Sequence, residues 1–100
     1  MRGSLLLGVS IKLLDHYKGD KPPYYATSGA SGVDLYASIP HKVGVLPESS
    51  KLIPTGISIA IPDGYEGQIR PRSGLALKEV VTVLNSPGTI DSDFRGEVKV

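Results

Sequence analysis

Three features of the sequence predict an all-β fold. One residue in five is Gly or Pro, Trp is absent and Phe occurs once, and short runs of alternating apolar residues recur between turn signals. This composition argues against a helical bundle. It suits short strands separated by many turns, or a partly irregular chain that completes its core against other copies of itself. With 100 residues there is room for one domain.

The elements follow in order. Val9, Ile11 and Leu13 alternate with Ser10, Lys12 and Leu14, which predicts a half-buried first strand. Lys21–Tyr25 contains two prolines and is expected to run extended, because proline fixes its own φ and disfavours helix in the residue before it. Ser28–Gly32 is a small-residue approach to a strand at Val33–Ala37. The clearest strand is Ile57–Ile61, with three isoleucines on one face. Pro62-Asp63-Gly64-Tyr65 is a turn signal, and with Tyr65, Gly67 and Ile69 alternating after it the segment reads as a β-hairpin. Ser73–Lys78 reads as one helical turn. Val80–Leu84 reads as another strand, stopped by Asn85-Ser86-Pro87-Gly88, and Gly96–Val100 as the last.

Charge and cysteine content narrow the function. Eleven basic and ten acidic residues give a net charge of +1, which excludes a general phosphate-coating binder of DNA or RNA, so any anion must be held locally. There is no cysteine, hence no disulfide framework and no thiolate metal site. Leu5-Leu6-Leu7 is too short for a signal peptide or a membrane span, so no membrane association and a cytoplasmic location are expected, with nucleus and organelle left open. Residues 1–8 read as a leader or flexible terminus and residues 9–100 as the domain. His16 and His41 are isolated from each other in a chain without cysteine and read as surface residues, not as ligands.

Polar, glycine-flanked clusters interrupt the apolar pattern at three places. In Arg70–Leu77, Ser73 precedes a helical turn and Gly74 permits close backbone approach. Arg72, a hydroxyl and free N–H groups there form either an anion site or an ordinary helix cap. In Asn85–Glu97, the two carboxylates, Asp91 and Asp93, supply either a general base beside phosphates or a solvated turn with a local Asp to Arg95 pair. In Ser31–Ala37, Asp34 either holds waters on a cation such as Mg2+ or closes an Asx-type turn.

Taken jointly and in order, the clusters resemble the homotrimeric deoxyuridine triphosphate nucleotidohydrolases, the dUTPase family. SGVDLYA at 31–37, PRSGLA at 71–76 and GTIDSDFRGE at 88–97 are similar to its first three motifs. The resemblance spans residues 9–100 and implies a distorted jelly-roll-like β-barrel subunit of the β-clip kind. It further implies a homotrimer and Mg2+-assisted cleavage of dUTP to dUMP and pyrophosphate. Asp91 would orient the attacking water; Arg72, Ser73 and Gly74 would hold phosphates; Asp34 would hold the metal through water. Uracil would be read by the turn containing Asn85, Gly88, Thr89 and Ile90, and Phe94 would pack under the deoxyribose. The family commonly has tyrosine at the Phe94 position, but stacking and exclusion of a 2′-hydroxyl depend on the ring. The family's fourth and fifth motifs would lie beyond Val100, so the 100-residue chain alone is expected to be inactive or nearly so. The alternatives are a dCTP deaminase or bifunctional relative, and a non-catalytic trimer of the same fold that acts through partners.

Overall fold

The computed structural model describes residues 7–100, so most of the proposed leader lies outside the described residues. Two short antiparallel ladders organise the chain. Strand β1 (Ser10–Leu13) pairs with β2 (Ile57–Ala60), with Ile11 opposite Ile59 and Leu13 opposite Ile57. Strand β3 (Gly67–Ile69) pairs with β4 (Gly88–Ile90), with Gly67 opposite Ile90 and Ile69 opposite Gly88. Helix α1 (Leu75–Glu79) lies between β3 and β4 in the chain.

Both strands of the first ladder satisfy the alternation rule, but their burial differs. Ile57 and Ile61 are buried, whereas Ile11 and Leu13 are exposed, because β1 has β2 as its only ladder partner among the described residues. The turn at Pro62–Tyr65 forms as expected, closed by the Tyr65 N–H donating to the Pro62 carbonyl, with Gly64 at φ +85°. It does not make a hairpin: β2 pairs back to β1 and β3 pairs forward to β4.

Three further expectations are corrected. Val33–Ala37 and Val80–Leu84 are irregular rather than strands. Val80 takes the left-handed C-cap of α1 at φ 53°, so the chain turns at the residue where a strand would begin. The last segment forms one bridge, Pro54 to Lys99, rather than a full strand. It is nevertheless tied antiparallel to residues 53–57 by reciprocal bonds between Ile53 and Val100 and by Val98 N–H to Ile57 carbonyl.

This seam holds the core. Val98 and Ile57 are buried beside Ser38 and Thr55, and both buried hydroxyls are hydrogen-bonded: Ser38 Oγ to the Thr55 carbonyl and Thr55 Oγ1 to the Val98 carbonyl. No helix among the described residues is long and apolar enough to cross a membrane.

Candidate functional site

The β3–β4 ladder distributes the polar clusters. The second cluster leaves from the Ile69 end, and the turn that includes Asn85 enters at the same end, since Ile69 is opposite Gly88. Asp91 leaves from the other end, after Ile90. In ladder register Arg70 and Asp91 are four residues apart, or roughly 13 Å at the strand rise.

At the first end, Arg72 and Ser73 are exposed. Ser73 is not the helix cap expected of it: Gly74 occupies that position, with no side-chain capping bond. The Leu75 N–H donates instead to the Arg72 carbonyl, which makes a backbone turn serve where a hydroxyl would have capped. Arg72 Nε lies 3.7 Å from Asp34 Oδ1, bringing the first and second clusters together. An exposed pair of this kind contributes little stability, so its significance is positional.

The uracil turn proposed from the sequence is braced from outside. Asn85 Nδ2 donates to the Lys99 carbonyl at 3.1 Å, and the Ser86–Pro87 peptide is cis. Thr89 is exposed on β4, while Gly88 and Ile90 are half-buried against β3.

At the other end, Asp91 lines an open cleft of about 600 Å³ with Asp63, Tyr65, Glu66, Ser92 and Asp93. The Phe94 N–H closes a turn onto the Asp91 carbonyl at 3.1 Å, and Phe94 is 42% exposed. The local Asp to Arg95 pair considered from the sequence is not formed. Arg95 Nη1 donates to the Ser92 and Phe94 carbonyls, at 2.6 and 2.9 Å, and so holds the loop by its backbone. Four carboxylates make this cleft repulsive to a bare triphosphate. The cationic group nearest in role, Arg72, belongs to the opposite end of the ladder.

His16 lies at the surface, as read from the sequence, but it has a distant carboxylate partner. Its Nε2 lies 2.6 Å from Glu97 Oε2, and the same oxygen accepts the Gly56 N–H at 2.9 Å. The His16 hydrogen bond holds the Glu97 carboxyl below the usual carboxylate range; burial opposes this, while the Gly56 N–H and the charges of His16 and Lys99 assist it. Tyr17, packed edge-on to Tyr36, is shifted up by burial, with Tyr36 and Asp20 adding to the effect. Local spacing gave no signal for His16 with Glu97, because the contact spans 81 positions.

The donor set bears on a metal. Among the described residues no group of three or more His, Cys, Asp or Glu could hold an ion. An exposed carboxylate such as Asp34, here 3.7 Å from Arg72 Nε, does fit contact with a hydrated Mg2+, which keeps its waters and takes substrate oxygens as its other ligands.

Fold and loops together define a class: a small all-β chain that presents a carboxylate and an arginine–serine pair from glycine-rich loops on a short ladder. The family model for dUTPase matches residues 20–100. The deoxyuridine 5'-triphosphate nucleotidohydrolase of Wolbachia pipientis subsp. Culex pipiens is 62% identical over 92 residues, covering 92% of this chain and 60% of the relative. The enzyme of the same name from Aquifex aeolicus is 55% identical over 92 residues, covering 92% and 61%. Among solved structures, the Staphylococcus bacteriophage 80alpha dUTPase superposes with TM-score 0.74 at 25% identity, covering 92% of this chain and 56% of that one. The chain belongs to the dUTPase family, and it spans about 60% of the length of the curated relatives it matches.

Proposed function

We propose that this protein is a dUTP diphosphatase, hydrolysing dUTP to dUMP and pyrophosphate, and that it works as a homotrimer. The observation that carries the reading is the continuous run from the Asn85 turn through β4 to Asp91 and Phe94, which places a base-reading turn before the strand and a carboxylate and an exposed aromatic residue after it. Uracil offers an N3–H between two carbonyl acceptors. Backbone groups of the turn can answer that pattern, whereas cytosine would leave them unpaired. The Phe94 ring packs under the deoxyribose and crowds out a 2′-hydroxyl.

In the reaction, Asp91 accepts a proton from a water whose oxygen attacks the α-phosphorus. The bond from that phosphorus to the bridging oxygen breaks, and pyrophosphate departs in line. Arg72, the Ser73 hydroxyl and the Gly74 N–H hold phosphate oxygens. Asp34 would hold the water shell of Mg2+, which when bound would neutralise phosphate charge. The separation of Asp91 from the Arg72 cluster along the ladder, and the acidity of the Asp91 cleft, support a site completed by a second copy, whose Arg72 cluster meets this chain's Asp91.

The test is release of pyrophosphate from dUTP by the protein at full family length, with ammonia release from dCTP measured in parallel. The expected result is pyrophosphate from dUTP, no ammonia, and a fall in kcat of about 10² or more in Asp91→Asn. Ammonia from dCTP would make the protein a deaminase instead. Full activity in Asp91→Asn would remove Asp91 as the base.

A further inference from the structure

We infer that His16 is a positioning residue for the third motif, acting through Glu97 on the segment that carries Asp91 and Phe94; the inference rests on the dUTPase reading above. The segment 91–97 is held at two points. Its beginning is fixed by the β3–β4 ladder, which ends at Ile90 opposite Gly67. Its end is fixed where Glu97 Oε2 receives both His16 Nε2 and the Gly56 N–H, at 2.6 and 2.9 Å. Between these points the chain is shaped by its own bonds, Phe94 N–H to the Asp91 carbonyl and Arg95 to the carbonyls of Ser92 and Phe94.

The anchor at Glu97 is stiff because four segments converge on it. Gly56 sits at φ +73°, and a Cβ there would lie 2.8 Å from both Ser38 Oγ and the Tyr17 Cα, so the strand approach and the loop after β1 are in close contact. The Leu14 N–H donates to the Gly56 carbonyl, the Lys18 N–H to Ser38 Oγ, and the Val98 N–H to the Ile57 carbonyl. Within this node His16 is 44% exposed and Glu97 17%, so His16 closes the anchor from the solvent side. The charged groups acting on Glu97 are His16 and Lys99. Without His16, the carboxylate keeps one backbone donor, and the 91–97 loop gains freedom at its far end. A displacement of about 1 Å at a water-orienting carboxylate can cost up to about 10²-fold in rate. Substrate affinity changes less, because the base turn is held by the β3–β4 ladder at Gly88 and by the Lys99 carbonyl at Asn85, where the reciprocal bonds of Ile53 and Val100 keep the seam in place.

The experiment compares His16→Ala, His16→Gln and Glu97→Gln with the parent at full family length, and His41→Ala serves as a control for loss of an exposed imidazole. For His16→Ala the expected result is a kcat for dUTP lower by about 10-fold with KM within about 2-fold, since only the loop geometry changes. His16→Gln, whose amide N–H can still donate to the carboxylate, recovers kcat to within about 3-fold of the parent. His41→Ala matches the parent. Amide hydrogen exchange supplies the second readout: Phe94 and Val98 exchange faster in His16→Ala, while the β1–β2 amides do not change. Parent-like kcat and exchange in His16→Ala would overturn the inference, as would a uniform acceleration of exchange across the chain. Should His16→Ala not fold, Glu97→Gln decides by the same selective pattern. A parent that hydrolyses no dUTP defeats the functional reading alone; exchange at Phe94 and Val98 then still decides whether His16 anchors this segment.

Discussion

Gly88 opens β4 opposite Ile69, and a Cβ there would collide with the Asn85 carbonyl oxygen and lie 3.2 Å from the Ile69 Cβ. The clash is with backbone, which cannot rotate away as a side chain could. Gly88→Ala is therefore expected to destabilise by about 1–3 kcal/mol as the turn opens or the ladder shifts, lowering Tm by about 4–8 °C for each kcal/mol in a domain of this size. Gly44→Ala, where an added Cβ meets nothing within 4 Å, provides the contrast and should change Tm little. Thermal unfolding of the two variants side by side checks this. Equal losses would mean that the Asn85–Gly88 turn is not tightly packed, and with it would go the rigidity on which backbone reading of a base depends.

Between elements, the antiparallel seam joining residues 53–57 to 98–100 carries the Glu97 carboxylate at its edge. Folding lowers the affinity of this carboxyl for its proton, chiefly through the His16 hydrogen bond, so the unfolded chain binds the proton more readily. The resulting stabilisation is complete above the ordinary glutamate value of 4.5 and is lost as pH falls through the lowered folded value. Urea unfolding between neutral pH and about pH 3 should accordingly give the parent a steeper acid-side loss of stability than Glu97→Gln, which has no proton to gain. Parallel curves would separate Glu97 from acid stability. This seam also marks how far the sequence could be read. Strand β2 and the Pro62–Tyr65 turn were legible because each is encoded within a few residues, by alternation and by Asp-Gly. The partners of β2 and β3 were not, because Ile57 meets Leu13 and Gly67 meets Ile90 across long loops whose closure leaves no local pattern. Val80–Leu84 misled for a related reason: its β-branched residues favour strand, but the helix C-cap at Val80 redirects the chain and no ladder partner is present among the described residues. The site clusters were legible as residue types; their allotment to opposite ends of one ladder was not, since only the register determines it.

For the whole molecule, what argues for a second copy is the placement of the Arg72 cluster and Asp91 at opposite ends of one ladder. Symmetric association in a trimer would bring one copy's Arg72 cluster to another's Asp91. Leu77, Val80 and Leu84, between the second and third motifs, are each more than 80% exposed, and because the chain spans about 60% of its relatives' length they carry no weight in that argument. The protein at full family length is therefore expected to sediment at three times its chain mass. A stricter prediction concerns the allotment of groups between copies. Asp91→Asn and Arg72→Ala should each be nearly inactive, yet subunits of the two, unfolded together and refolded as a mixture, should regain about a quarter of parental activity. Random assembly leaves that share of sites with an intact Asp91 from one subunit and an intact Arg72 from another. If both groups of a site came from one chain, every site in the mixture would carry a defect and no activity would return, which would refute the shared site even in a protein that sediments as a trimer.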